Sequence, residues 1–316
     1  MDQLRSVLAA HKKMLLQLKN VVAVGIGYKT RARRKLNTPS IVVFVSEKLP
    51  AGQLAPQDLV PAEIGGVMTD VVAAGLIKPL QNFDYSLTPP SFTPPQADPT
   101  QRVRPLQPGC SIGHYLVAAG TLGCIVRDHQ TSRPLLLSNN HILANSSNGS
   151  DGRCRAGDPI LQPGTYDGGQ YPRDIIASLE RFIPIRETEN RADAAVAAPV
   201  ADLAINEEII GAGPVKGISD ALPGMAVQKF GRTTRLTRGE VMAIQVDTNP
   251  IHYNGHAAAF INQIFLSNMS AGGDSGSLIM DAASNAVGLL FAGSDAVTIA
   301  SPISNVLTGL EVYFEL

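Results

Sequence analysis

The amino-acid sequence predicts a small α+β unit at its N-terminus, followed by a longer region composed almost entirely of β-strands. Leucines at helical spacing among lysines and arginines indicate an amphipathic helix over residues 4–19. Runs rich in valine and isoleucine then predict three strands, over residues 21–28, 40–47 and 66–73. From residue 110 to the C-terminus, short apolar runs alternate with turn residues, which is typical of a sandwich or a pair of barrels.

The region between these two parts is rich in proline. Eight prolines lie within residues 79–108, a composition that predicts a semi-extended linker and not a folded element. The chain is therefore divided into an α+β domain (1–78), a linker (79–108) and an all-β domain (109–316). We expect the linker to separate the N-terminal domain from the residues that carry chemistry.

Composition excludes several classes of partner. The 316 residues are 44% hydrophobic and 17% charged, as in ordinary globular proteins, and the net charge is −1. The overall charge of the chain therefore does not attract nucleic acid or an anionic membrane. The basic run RARRK at residues 31–35 is interpreted as a solvated hairpin tip.

The N-terminus and the cysteines predict a cytoplasmic protein. The N-terminus lacks the apolar core and cleavage site of a secretory signal, and no run approaches the ~18 apolar residues of a membrane span. Cys110, Cys124 and Cys154 cannot all pair and form no CxxC motif, so we expect free thiols, and no metal or other cofactor. The exposed-looking strands at 21–28 and 40–47 predict pairing between subunits, hence a homo-oligomer.

A glycine-rich turn around Ser275 is the most informative segment. The sequence Gly272-Gly273-Asp274-Ser275-Gly276 places a serine among residues without side chains, between a polar loop and the apolar run SLIM. Backbone N–H groups can converge in such a turn, as an oxyanion hole requires.

A serine nucleophile needs a base, and the base needs an orienting carboxylate. Of the six histidines, His141 follows the apolar run PLLLS and precedes another short apolar run, which fixes it beside a core. His252 and His256 flank an Asn-Gly turn and are interpreted as hairpin residues. The best carboxylate is Asp193 in NRADAAVA, where burial would be costly without a hydrogen-bond donor such as a histidine N–H.

The order His141, Asp193, Ser275 discriminates between folds that share this chemistry. An α/β-hydrolase has the order Ser, Asp, His and a subtilisin the order Asp, His, Ser, whereas His, Asp, Ser is the order of the chymotrypsin fold. Ser277 also stands where the α/β-hydrolase elbow requires glycine. The triplet GDS lies too far along the chain for a GDSL-type esterase.

These motifs resemble those of trypsin-like peptidases of the chymotrypsin clan. Within the clan the chain is similar to bacterial enzymes such as the streptogrisins and alpha-lytic protease. It is most similar to the trypsin-like domain of the plant NARROW LEAF proteins and their bacterial relatives. The segments that carry this resemblance are residues 119–126, 135–144, 230–241 and 272–279. The resemblance implies a double β-barrel of the chymotrypsin type for residues 109–316.

The resemblance also implies roles for several residues. The backbone N–H groups of Gly273 and Ser275 would form the oxyanion hole. Arg232 would pair with Asp274 and hold the oxyanion loop in place without a zymogen cut.

Substrate contacts follow from the same resemblance. Met269 and Ser270 would line an apolar or small specificity pocket, although Asp295 could supply an acidic wall. Ala292 and Gly293 would form the edge that pairs with substrate backbone. We therefore expect an uncharged residue before the scissile bond.

Two departures from the family pattern are visible. Ile142 follows the base where many secreted relatives carry a cysteine, so the disulfide that braces the base is absent. Phe291 falls near a serine that helps hold the triad aspartate in many relatives, which leaves Asp193 with less support.

Three functional hypotheses remain open at this point. The first is an active serine endopeptidase acting on protein or peptide substrates. The second is a catalytically quiet or partner-gated protein that uses the same cleft to hold a peptide. The third is an esterase with the same triad.

Overall fold

The N-terminal part of the chain forms one helix packed on a small sheet. The computed structural model describes residues 1–31, 34–80, 98–253 and 255–316. The first elements are α1 (Asp2–Gln17), β1 (Val21–Arg31), β2 (Arg34–Val45), β3 (Glu63–Ile64), β4 (Val67–Ala73) and β5 (Lys78–Pro79), with 3-10 turns at Ala51–Gln53 and Pro56–Asp58. The helix buries Leu4, Leu8 and Leu15, as its leucine spacing predicts. β1 and β2 pair up to Arg31 and Arg34, which confirms the predicted hairpin, while residues 32–33 of its tip lie outside the described residues.

The first barrel is a half-barrel, an eight-stranded sheet in the order β22-β8-β9-β12-β11-β10-β6-β7, whose two end strands do not pair with each other among the described residues. Its strands are β6 (Ser111–His114), β7 (Gly120–Thr121), β8 (Cys124–Asp128), β9 (Pro134–Ser138), β10 (Pro159–Leu161), β11 (Ile175–Phe182), β12 (Ala195–Pro199) and β22 (Val312–Tyr313). The predicted strand over 134–143 ends at Ser138, and the short helix α2 (Asn140–Leu143) follows it. A 3-10 turn lies at Thr165–Asp167.

The second barrel contains six strands that close on themselves, in the order β14-β19-β20-β21-β18-β15, with β15 pairing back to β14. These strands are β14 (Ala226–Gly231), β15 (Arg235–Thr248), β18 (Gln263–Ser267), β19 (Leu278–Asp281), β20 (Asn285–Gly293) and β21 (Val297–Pro302). The remaining elements are β13 (Gly217–Ile218), the hairpin β16 (Ile251–Tyr253) and β17 (His256–Ala258), and α3 (Ile303–Leu310). The chain is thus a small α+β unit followed by an all-β double β-barrel of the chymotrypsin type.

The N-terminal strands are joined to the second barrel, contrary to the separation that we expected. β14 covers only the first half of β15, between Arg235 and Glu240, so one edge of the second half stays available. β1 pairs there, from Ala243 to Thr248. As a result, the leucines of α1 share one buried cluster with barrel residues such as Leu266 and Leu290.

The predicted linker is also partly folded. Lys78–Pro79 form a strand against β20, and residues 98–108 pack on the first barrel, where Val103 and Leu106 are buried. Residues 81–97 lie outside the described residues. The domain boundaries at residues 78 and 108 stay predictions.

Among the described residues, none of the helices combines the length and apolar character that crossing a bilayer requires.

The shared core makes a prediction about stability. Leu15 is fully buried between α1 and the sheet, whereas its neighbour Met14 is 41% exposed. We expect Leu15→Ala to lower the free energy of unfolding by about 2–5 kcal/mol, because it removes buried methyl groups and leaves a cavity. Met14→Ala is the matched control and should change it little. Urea unfolding followed by circular dichroism measures both variants, and equal stabilities would show that α1 is not part of the core.

Candidate active site

His141 and Asp193 form a buried pair at the end of the first barrel. The apolar strand β9 leads into α2, which holds His141, while Asp193 lies two residues before β12. Neither residue is exposed to solvent. His141 Nδ1 lies 2.5 Å from Asp193 Oδ2, and the His141 backbone N–H donates to Oδ1 at 3.2 Å. The carboxylate therefore fixes both the ring and the backbone of the histidine.

Tyr253 gives Asp193 a further hydrogen bond, which the sequence did not predict. Its hydroxyl donates to Asp193 Oδ2 at 2.9 Å, and its ring meets His141 edge-on at 6.0 Å between centroids. Burial, and then the nearby Asp193 carboxylate, raise the pKa of the Tyr253 phenol well above its usual value, so the hydroxyl remains a donor. Asn139 Nδ2 also donates to the Asp193 carbonyl at 2.7 Å.

Support for Asp193 therefore comes from the hairpin formed by β16 and β17. Phe291 lies near the position where many relatives carry a serine that helps hold the triad aspartate, and it has no hydroxyl group. Tyr253 of this hairpin supplies a hydroxyl to Asp193 instead. The interpretation of His252 and His256 as hairpin residues is confirmed, because they pair across it with Ala257 and Tyr253. The only sequence signal for Tyr253 was a tyrosine beside an Asn-Gly turn.

Ser275 lies in the predicted glycine turn and is fully buried. Gly273 and Gly276 have φ values of 95° and 93°, in the left-handed region that favours glycine. The Ser275 carbonyl accepts the Thr121 N–H at 2.7 Å, and the Ser275 hydroxyl donates to the Phe291 carbonyl at 3.2 Å. These contacts fix the serine between β7 of the first barrel and β20 of the second.

Close packing presses the serine turn against the strand that leads to His141. A Cβ atom at Gly276 would lie 2.2 Å from the Thr121 carbonyl oxygen and 2.1 Å from Ser138 Oγ, so only glycine fits. Ser138 ends β9, three residues before His141. The structure thus brings the predicted nucleophile and the predicted base to the junction between the two barrels.

Asp274 organises the predicted oxyanion loop, but with a different partner from the one predicted. Its fully buried carboxylate accepts the N–H groups of Thr233 at 3.0 Å, Thr234 at 3.1 Å and Ala271 at 3.0 Å. The ion pair is with Lys229, whose Nζ lies 3.3 Å from Oδ2. Lys229 is buried as well, and it also donates to Thr234 Oγ1 and the Arg235 carbonyl, which uses all three of its protons.

The prediction that Arg232 pairs with Asp274 is corrected accordingly. The Arg232 guanidinium hydrogen-bonds to Asp167 and to Thr233 Oγ1. Lys229 reaches Asp274 because it lies inside the barrel on β14, whereas Arg232 follows the end of that strand. Arg232 still supports the loop through its backbone: its N–H donates to Thr121 Oγ1, which itself donates to the Gly273 carbonyl.

The residues predicted to line the specificity pocket lie in different environments. Met269 is buried in the same cluster as Leu266 and Leu290. Ser270 Oγ is 2.6 Å from Thr298 Oγ1, so this hydroxyl is already engaged. Asp295, considered as an acidic wall, is solvent-exposed in the turn between β20 and β21.

The predicted substrate edge is occupied by the chain itself. Ala292 pairs with Pro79 and Gly293 with Lys78, in antiparallel register. The Leu80 N–H donates to the Phe291 carbonyl at 3.4 Å, and the Gly273 N–H donates to the Leu80 carbonyl at 2.7 Å.

Burial disfavours the thiolate form of all three cysteines. Burial raises the pKa of Cys110 to about 12, and it raises the pKa of Cys124 and of Cys154 as well. No group of three or more potential metal ligands occurs in the part of the chain that the structure describes.

Sequence comparisons connect the chain to the NARROW LEAF proteins. Residues 1–73 match the model of the NARROW LEAF 1 N-terminal domain. The chain is 26% identical over 309 residues to Protein NARROW LEAF 1 of Oryza sativa subsp. japonica, a match that covers 88% of this chain. The resemblance predicted from the sequence is confirmed. The chain spans about half the length (50%) of that rice protein.

Solved structures of two proteases are similar to this chain. Thermobifida fusca Protease A is 16% identical, with a TM-score of 0.48, and covers 66% of this chain and 97% of its own. Nocardiopsis Protease is 16% identical, with a TM-score of 0.49 and the same coverage.

The buried ion pair makes a testable prediction. Lys229→Met should lower the free energy of unfolding by about 3–5 kcal/mol, because it leaves the Asp274 charge buried without a counter-ion. Lys216→Met, on an exposed lysine, is the matched control and should have little effect. Chemical denaturation of both variants measures the difference. Equal stability would show that Asp274 does not depend on Lys229.

Proposed function

We propose that this protein is a serine endopeptidase in which Ser275 is the nucleophile, His141 the general base and Asp193 the orienting carboxylate. The observation that carries the proposal is the fully buried hydrogen bond between His141 Nδ1 and Asp193 Oδ2 at the barrel junction that holds the Ser275 turn. A buried carboxylate is costly, and this one is satisfied by the imidazole and by Tyr253.

The proposed proton transfers build on the hydrogen bond between His141 and Asp193. In this proposal Nδ1 donates its proton to Asp193, and Nε2 takes the proton of Ser275 as the bond to substrate forms. Ser275 Oγ then bonds to the substrate carbonyl carbon, and the amide C–N bond breaks as the departing amine takes that proton from His141. Water hydrolyses the resulting ester by the same base, which restores Ser275.

The N–H groups of Gly273 and Ser275 are the proposed oxyanion hole. The Gly273 N–H already donates to a carbonyl oxygen, that of Leu80, at 2.7 Å, a distance suited to a developing oxyanion. Asp274 and Thr121 hold this turn from both sides, so little reorganisation is needed when charge develops.

Substrate preference follows from the pocket. The buried thioether of Met269 and the exposed position of Asp295 favour an uncharged residue before the scissile bond. Substrates are proposed to be proteins or peptides, bound in extended form along Ala292 and Gly293.

A catalytically quiet peptide-binding protein is the second candidate. The Ser275 hydroxyl donates to the Phe291 carbonyl, which favours this alternative because an activated serine gives its proton to the base.

A fluorophosphonate separates these candidates. We expect the intact mass of the wild-type protein to increase by one adduct, and that of Ser275→Ala to stay unchanged, because only an activated serine displaces fluoride. Ser304→Ala, at an exposed serine of α3, is the control that should still react. An unlabelled, folded wild type would contradict the peptidase, and labelling without peptide hydrolysis would indicate an esterase.

Tyr253 is predicted to act as a positioning residue. Tyr253→Phe removes one hydrogen bond to the Asp193 carboxylate, an interaction of about 1.5–3 kcal/mol, so labelling should slow by about 10- to 150-fold. Tyr313→Phe, whose hydroxyl bonds Ser132 far along the first barrel, is the control. A purely structural role would lower the melting temperature without changing the pH profile of labelling. We expect the profile of Tyr253→Phe to shift.

A further inference from the structure

Residues 78–80 lie along the predicted substrate edge in the register of a bound substrate. Lys78 and Pro79 pair antiparallel with Gly293 and Ala292, and the next N–H, of Leu80, donates to the Phe291 carbonyl. The Leu80 carbonyl then accepts the Gly273 N–H at 2.7 Å, in the turn that holds Ser275. Three consecutive residues thus combine strand pairing with an oxyanion-type contact.

The side chain of Leu80 completes this arrangement. It is 6% exposed and belongs to the buried apolar cluster that also contains Met269 and Leu290. Burying a leucine side chain is favourable relative to leaving it in water. The segment is therefore anchored by a side chain as well as by its backbone.

A second anchor lies upstream. The Ser294 hydroxyl donates to the Ala74 carbonyl, and Gly75 turns the chain with φ of 68°. A Cβ at Gly75 would lie 3.3 Å from the Ser294 side chain. β4 thus delivers the segment to the end of β20, where the cleft begins.

We propose that Lys78-Pro79-Leu80 is a built-in ligand that closes the substrate cleft, and that the cleft takes substrates with leucine before the scissile bond. This inference rests on the proposed peptidase function for its catalytic readout. A substrate has to displace the segment, because both need the edge of Ala292 and Gly293 and the N–H of Gly273. The tether keeps the segment at a high effective concentration, so few molecules are open at any time.

The segment also defines the preferred sequence. Leu80 occupies the position of the residue whose carbonyl is attacked, Pro79 the position before it and Lys78 the position before that. Acetyl-Ile-Lys-Pro-Leu, which copies residues 77–80, is accordingly the probe of choice.

The test compares wild type with Leu80→Asp and with Leu76→Asp. Leu76 is 78% exposed four residues earlier, which makes it the matched control. Each protein receives the coumarin amide of acetyl-Ile-Lys-Pro-Leu and the same peptide ending in aspartate. We expect Leu80→Asp to hydrolyse the leucine peptide about 10-fold faster than wild type at low substrate, the factor for a cleft open in a tenth of molecules. Leu76→Asp should hydrolyse the leucine peptide at the wild-type rate. Leu80→Asp should cleave the aspartate peptide at least about 10-fold more slowly than it cleaves the leucine peptide.

Two further variants keep the test decisive. If Leu80→Asp does not fold, Leu80→Ala retains the backbone bonds and should give a smaller increase. Binding of fluorescent acetyl-Ile-Lys-Pro-Leu amide to Leu80→Asp/Ser275→Ala, and not to Ser275→Ala alone, tests occupancy without any catalysis.

The outcomes separate the two proposals. Equal hydrolysis by wild type and Leu80→Asp would overturn the built-in ligand without contradicting the peptidase. Equal peptide binding by Leu80→Asp/Ser275→Ala and by Ser275→Ala would do the same. Peptide binding to the opened double variant with no hydrolysis by any variant would overturn the peptidase and support the ligand. A cut after Leu80 in the wild-type chain would support the register.

Discussion

The buried carboxylate of Asp274 is the constraint on which the candidate site depends. A charge without solvent must be satisfied by the protein, and Asp274 recruits three backbone N–H groups, one hydroxyl and the ammonium of Lys229. These bonds tie the end of β14 to the loop before Ser275. A Cβ at Gly231 would lie 2.4 Å from Asp274 Oδ1, so the strand also requires a glycine at this position. The shape of the proposed oxyanion loop follows from this one requirement.

The sheet of the second barrel connects the candidate site to the N-terminal strands. β15 is long enough to pair with β14 at one end and β1 at the other, so the sheet of the second barrel continues into the α+β unit. β4 lies at the far side of that extension and leads, through Gly75, to the segment on β20. Because one sheet holds both ends of this path, the N-terminal unit can deliver residues 78–80 to the cleft at a fixed register.

The residue types and their order predicted the fold and the buried pair of His141 and Asp193, because strands, turn glycines and a strand-end histidine leave local patterns. The partners of those residues were not predictable in the same way. Lys229 is a lysine in a strand, which locally indicates an exposed position, and its burial depends on Asp274, 45 residues later. Tyr253 lies on a hairpin 60 residues from Asp193. The proline content of residues 79–108 indicated a linker, although part of it pairs with β20, since composition cannot show which strand edge a segment meets.

A structure with a peptide boronic acid tests the central claim most directly, since boron forms a covalent bond with an activated serine. The compound is acetyl-Lys-Pro-boroleucine, soaked into crystals of Leu80→Asp. The account predicts a bond from boron to Ser275 Oγ, a boronate oxygen on the Gly273 N–H, and the peptide paired with Ala292 and Gly293 in place of residues 78–80. A peptide bound elsewhere, or an unmodified Ser275 in an open cleft, would contradict it.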